Sequence, residues 1–129
     1  MNNIYCKTFT AQVTIGLIKG YSGEKITMPV FKEELLTGQR EIKEKYNVLL
    51  SAKIRQCEIV FLGQDETSIE LEFIQYPKFQ FEETVLKLAI VSLTEILMLK
   101  LEQNRVVIIF QDETLMLEQN KEIDPSIKI

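Results

Sequence analysis

Glu70 and Glu72 occupy alternate positions of a segment that interleaves polar with apolar residues, as do Thr10, Gln12 and Thr14 in an earlier one; Glu58 stands in a third apolar segment. Spacing of two places side chains on one face of a strand. Carboxylates crowded on such a face share a proton or hold a hard cation, and hydroxyls and amides beside them hydrogen-bond a ligand. The same spacing of glutamates also serves a plainer purpose, keeping an exposed sheet soluble and its edges unpaired. The charge pattern alone does not choose between the two. Thr10, Gln12, Thr14, Glu58, Glu70 and Glu72 are therefore the candidate binding residues, and no catalytic or metal-ligating set is assigned.

Other chemistries fit less well. The chain contains no histidine, which removes the usual base near neutral pH, histidine-based zinc sites and the common nucleophile triads. The glycines Gly16, Gly20 and Gly23, followed by Glu24 and Lys25, lie between a strand and a helix but match neither a P-loop nor a dinucleotide fingerprint. They read as a flexible connection. Cys6 and Cys57 read as two free thiols, Cys57 as a small core hydrophobe. Lys7 alone is weak activation for Cys6 between Tyr5 and Lys7. Phe73, Tyr76, Phe79 and Phe81 around Pro77 read as core at a strand-to-helix corner. No cofactor is expected. A formal net charge of −4 argues against nucleic acid and anionic membrane as partners, because both demand clustered Lys and Arg.

The elements that must position these residues follow from two hydrophobic periods. Between Thr8 and Ile18 the apolar residues Phe9, Ala11, Val13, Ile15 and Leu17 recur at period two and predict a strand. From Pro29, Phe31, Leu35, Ile42, Tyr46 and Leu49 recur at helical spacing, with Gly38 on the same stripe. Residues 51–62 and 67–76 predict two strands joined by a turn at 63–66, with Cys57, Ile59 and Phe61 sharing the buried side with Ile69, Leu71 and Phe73. Residues 81–103 predict a second helix, too apolar for a single stripe and ended by Asn104. Residues 105–110 read as a strand buried on both faces, and Leu115 to Leu117 as a fifth strand. Gln64-Asp-Glu-Thr67 recurs as Gln111-Asp-Glu-Thr114, which reads as one turn chemistry used twice.

This order predicts an α+β fold: a ferredoxin-like β-α-β-β-α-β two-layer sandwich with an additional C-terminal strand. A single domain over residues 1–120 is expected, with 121–129 as a flexible tail. Both helices should cover one sheet face and leave the other open, carrying the six candidate residues beside apolar Val60 and either Val107 or Ile109. Such a mixed face predicts self-association, as a homodimer or larger ring. The amino end lacks the basic and apolar regions of a signal peptide, and the expected location is the cytoplasm. The first functional expectation is a non-enzymatic homo-oligomer that binds a small molecule or protein of unknown specificity. The first alternative is a small acid–base enzyme with Glu70 or Glu72 as base in an intersubunit cleft. The second is a sequestering protein for a charged metabolite or nucleotide, using Lys53, Arg55 or Arg105.

Overall fold

The computed structural model describes residues 1–125 and 127–129. Alternation in the first segment yields β1 (Thr10–Gly16), whose odd-numbered residues Ala11, Val13 and Ile15 are buried while Thr10, Gln12 and Thr14 are half-buried on the other face. Two short strands follow, β2 (Ile18–Lys19) and β3 (Glu24–Lys25), paired as a small antiparallel ladder. The glycine-rich connection thus has a definite structure. Gly20 and Gly23 take positive φ, and the Gly20 N–H donates to the Glu102 carbonyl at 2.8 Å, a conformation that glycine reaches without steric cost.

Helix α1 (Met28–Tyr46) begins where Thr27 caps it, its Oγ1 accepting from the Val30 N–H, with Pro29 in the first turn where a missing donor costs nothing. Asn47, left-handed at φ 55°, closes it by donating to the Lys43 carbonyl. Leu49 therefore lies beyond the helix. Gly38 faces the second helix rather than the sheet, and a Cβ there would stand 2.7 Å from Leu93 Cδ1. Its lack of a side chain sets how closely the helices approach.

β4 (Lys53–Phe61) and β5 (Gln64–Ile74) form a hairpin whose turn is only Leu62 and Gly63, both at positive φ, the type I′ geometry that suits the twist of flanking strands. Gln64 to Glu66, expected in the turn, belong to β5. Its echo at 111–114 does form a turn, where the Phe110 N–H donates to the Glu113 carbonyl, so one tetrapeptide serves two roles. α2 (Glu83–Lys100) ends at Leu101, and Glu102, not Asn104, takes the left-handed position at φ 52°. β6 (Arg105–Phe110) and β7 (Thr114–Glu118) complete the regular structure among the described residues.

The main sheet has the order β4-β5-β1-β6-β7, antiparallel throughout. With two helices on one side, this is the α+β ferredoxin-like arrangement with one added edge strand. The core lies between the layers: Val13, Ile15, Ile69, Leu71 and Ile108 from the sheet meet Phe31 and Ile42 of α1 and Ile90, Leu93 and Leu97 of α2, all fully buried. Burial of each such side chain contributes about 1.5–3 kcal/mol. β6 departs from expectation: Val106, Ile108 and Phe110 are buried, whereas Val107 and Ile109 are exposed on the outer face. Among the described residues no helix is long and apolar enough to cross a membrane.

Candidate functional site: the open sheet face

Cross-strand register arranges the outer face in rows. Lys53, Glu72, Gln12, Ile109 and Thr114 make one row across the five strands, and Arg55, Glu70, Thr14, Val107 and Met116 make the next. Five of the six expected residues, Thr10, Gln12, Thr14, Glu70 and Glu72, thus share this face. Glu58 does not. It pairs with Thr67 and points to the helix side, while Cys57, opposite Ser68, is on the outer face. The phase of β4 is the opposite of the expected one because its distal half runs past the helices, so that Ile59, Val60 and Phe61 are all exposed and burial no longer alternates. Ile54, half-buried opposite Leu71, sets the true phase. Cys57, Ile59 and Phe61 therefore do not share the core with Ile69 and Leu71, Val60 belongs to the helix side, and Val107 and Ile109 both face outward.

The centre of the face is electrostatically ordered. Arg55 Nη2 donates to Glu70 Oε1 at 2.6 Å and to Glu72 Oε2 at 2.8 Å, and Lys53 Nζ lies 3.4 Å from Glu72 Oε1. Hydrogen bonds from Lys53 and then Arg55 hold the Glu72 carboxyl below the usual carboxylate range. Glu70 and Glu72 raise the Arg55 guanidinium in turn. Arg105 is committed to Glu118, Nε to Oε2 at 2.6 Å. The cations that would have lined a metabolite-sequestering pocket, Lys53, Arg55 and Arg105, are each engaged by carboxylates.

One carboxylate on the face behaves differently. Glu66, opposite Ile59 at the far end of β5, is pushed above the ordinary range, first by burial and then by the negative charge of Asp124. Its carboxyl lies over Gly16, where a Cβ would collide with Glu66 Oε1 and stand 3.1 Å from Gln103 Oε1. Gln103 is 7% exposed, and its Nε2 donates to the carbonyls of Ile18 at 2.6 Å and Leu101 at 3.1 Å. The C-terminal segment is tied alongside. Asn104 Oδ1 accepts from the Asn120 N–H, and both Asn104 Nδ2 and Tyr21 Oη donate to the Glu122 carbonyl.

Sequence reasoning missed Glu66 because it was read as part of a turn, and missed Gln103 because it was read as the end of a helix. A signal existed in Gly16. A glycine as the last residue of an otherwise well-formed strand leaves room for a close approach by another group.

No family model matches the chain, and no curated protein matches it by sequence. Solved structures of similar fold do exist. A phage SAM lyase in its apo state superposes with a TM-score of 0.69 at 16% identity, over 89% of this chain and 92% of the other. A phage SAM lyase in complex with S-methyl-5'-thioadenosine gives a TM-score of 0.65 at 16% identity, over 92% and 95% of the two chains. At this identity the likeness is one of fold, and it extends over nearly the whole of each chain.

Proposed function

We propose that this chain is a small enzyme that breaks a carbon–sulfur bond of SAM, the sulfonium compound S-adenosylmethionine, on its open sheet face. The observation that carries the reading is the near full-length likeness to phage SAM lyases, one of them holding S-methyl-5'-thioadenosine. That molecule is the neutral thioether left when a sulfonium loses its amino-acid chain: the bonding electrons stay on sulfur, and the released carbon takes an electron pair from the chain's own carboxylate, closing a lactone, or from a neighbouring C–H bond whose proton passes to a base, leaving an alkene. A site for this chemistry holds a cation that becomes neutral. The face supplies groups suited to that: the Glu70 and Glu72 carboxylates, positioned by Arg55 and Lys53, Gln12 and Thr14 as hydrogen-bonding groups, and Val107, Ile109 and Met116 as adjoining apolar surface. Glu66, with its raised carboxyl, is the acid–base group. The acid–base alternative is thus favoured over pure binding, with Glu66 joining the residues considered.

The apolar outward residues Val107, Ile109 and Met116 on β6 and β7, and Ile59 and Phe61 on β4, favour a second element of the proposal. A further copy of the chain closes the face, and the substrate lies in the resulting cleft.

Incubating the purified chain with SAM and following the thioether by liquid chromatography and mass spectrometry tests the activity. Thioether release well above the spontaneous rate is expected, reduced at least about tenfold in the double variant E70Q/E72Q, a loss of about 1.4 kcal/mol in transition-state stabilisation. Release at only the spontaneous rate by the unmodified chain would refute the reading.

A further inference from the structure

Gly16, Glu66 and Gln103 form an arrangement that no structural need of the sheet explains. Gly16 is the last residue of β1 and gives up a side chain that would pack on the outer face. Gly16 carries no positive φ among the glycines that do, so its backbone would accept alanine. What excludes a Cβ is the Glu66 carboxyl itself, which fills the notch, with the Gln103 Oε1 at its rim. Gln103 is buried and immobilised by two hydrogen bonds from Nε2 to the carbonyls of Ile18 and Leu101, and its backbone carbonyl accepts from Gln119 Nε2 at 2.7 Å. With Nε2 spent in this way, the oxygen that Gln103 turns to the notch, 3.1 Å from where a Gly16 Cβ would stand, is a hydrogen-bond acceptor. An acceptor at that place is matched by a carboxylic acid, which has a proton to donate, and not by a carboxylate.

We propose that Gly16 and Gln103 form a built seat that retains Glu66 as a proton-carrying carboxylic acid at the edge of the open face, with Gln103 as its positioning residue. The chemical use of that proton rests on the enzyme reading above, whereas the seat itself does not. Removal from water favours the neutral acid, in keeping with burial as the larger cause of the upward displacement of Glu66. The charged and titratable groups around the seat come from each neighbouring element. Asp124 of the C-terminal segment adds negative charge. Glu70, held by Arg55, is further along the same face of β5. Cys57 lies on β4, and Arg105 of β6 is bound to Glu118.

The test is a carboxyl carbon-13 NMR titration of the ligand-free protein, with the Glu66 signal identified by its loss in E66Q. In the unmodified chain the Glu66 midpoint should lie above the ordinary glutamate value. A midpoint at or below that value overturns the seat without recourse to any variant. In G16A the new Cβ takes the notch, the flexible end of Glu66 swings into water, and the midpoint should fall by about one pH unit, a tenfold change in proton affinity. An unmoved midpoint in folded G16A also overturns the proposal. D124N should lower the midpoint less than G16A does, and the reverse order would make Asp124, not the seat, responsible. Because substrate plays no part, a displaced midpoint in a protein that releases no thioether would leave the seat standing and remove the enzyme reading alone.

Discussion

Arg55 bridges Glu70 and Glu72 at 2.6 and 2.8 Å, while Glu66 on the same strand lies in a glycine notch. Glu72 and Glu66 are displaced in opposite directions by these two environments, and the consequences for stability have opposite signs. Glu72 is lowered in the folded state, so its contribution is present above the unfolded value and disappears as pH falls through the folded one. R55A should therefore raise the Glu72 titration midpoint and diminish the loss of stability on the acid side, measured as urea midpoint against pH. An unchanged acid limb would show that Arg55 does not hold Glu72. Glu66 is raised, so its contribution is present below the unfolded value and lost as pH rises through the folded one. E66Q should abolish that loss and make the protein more resistant to urea than the parent at neutral pH. Of these residues, Glu70 and Glu72 were legible in the sequence because simple alternation exposes them. Glu66 was not, since its environment depends on Gly16, which is fifty positions away, and on Gln103 beyond a helix.

Among the elements, α2 and the β4–β5 hairpin show what sequence patterns convey and where they fail. The excess of apolar residues in α2 reflects contact with both the sheet and α1, which buries Leu86, Ala89, Ile90, Leu93, Leu97 and Met98 and leaves Leu88 and Leu99 exposed. I90A should cost about 2–5 kcal/mol through lost burial and the cavity left behind, read from chemical unfolding. A cost below 1 kcal/mol would place Ile90 outside the core. In the hairpin, Leu62 holds φ 47°, a conformation that costs a non-glycine residue about 1 kcal/mol or more. L62N creates the Asn-Gly pair preferred in type I′ turns and should stabilise the protein by about 1 kcal/mol. A destabilisation would mean that Leu62 makes a contact worth more than its strain. The existence of β1, β5 and both helices was legible because each keeps one strong period over many residues. β4 was legible as a strand, expected over 51–62 and observed over Lys53–Phe61, but its facing was not, because half of it extends beyond any cover and its hydrophobic residues carry no phase. The β2–β3 ladder was hidden because two-residue strands have no period at all.

At the scale of the whole molecule, the strand order β4-β5-β1-β6-β7 follows from right-handed crossovers applied to the element sequence. It puts both helices on one side, and the ion-paired centre with its apolar margins becomes the open surface. The same architecture spans nearly the full length of phage SAM lyases, although fold by itself does not carry activity. If copies of the chain close that surface, light scattering after size exclusion should give a mass that is a multiple of 15.0 kDa at micromolar concentration, and a monomer under those conditions would remove the cleft. The most direct measurement of where chemistry happens is amide chemical-shift mapping with S-methyl-5'-thioadenosine as the titrant. Shifts concentrated at Gln12, Thr14, Glu66, Glu70 and Val107 are the predicted result. Shifts confined to the outer surfaces of α1 and α2, or none at millimolar thioether, would contradict the assignment of the open face as the site.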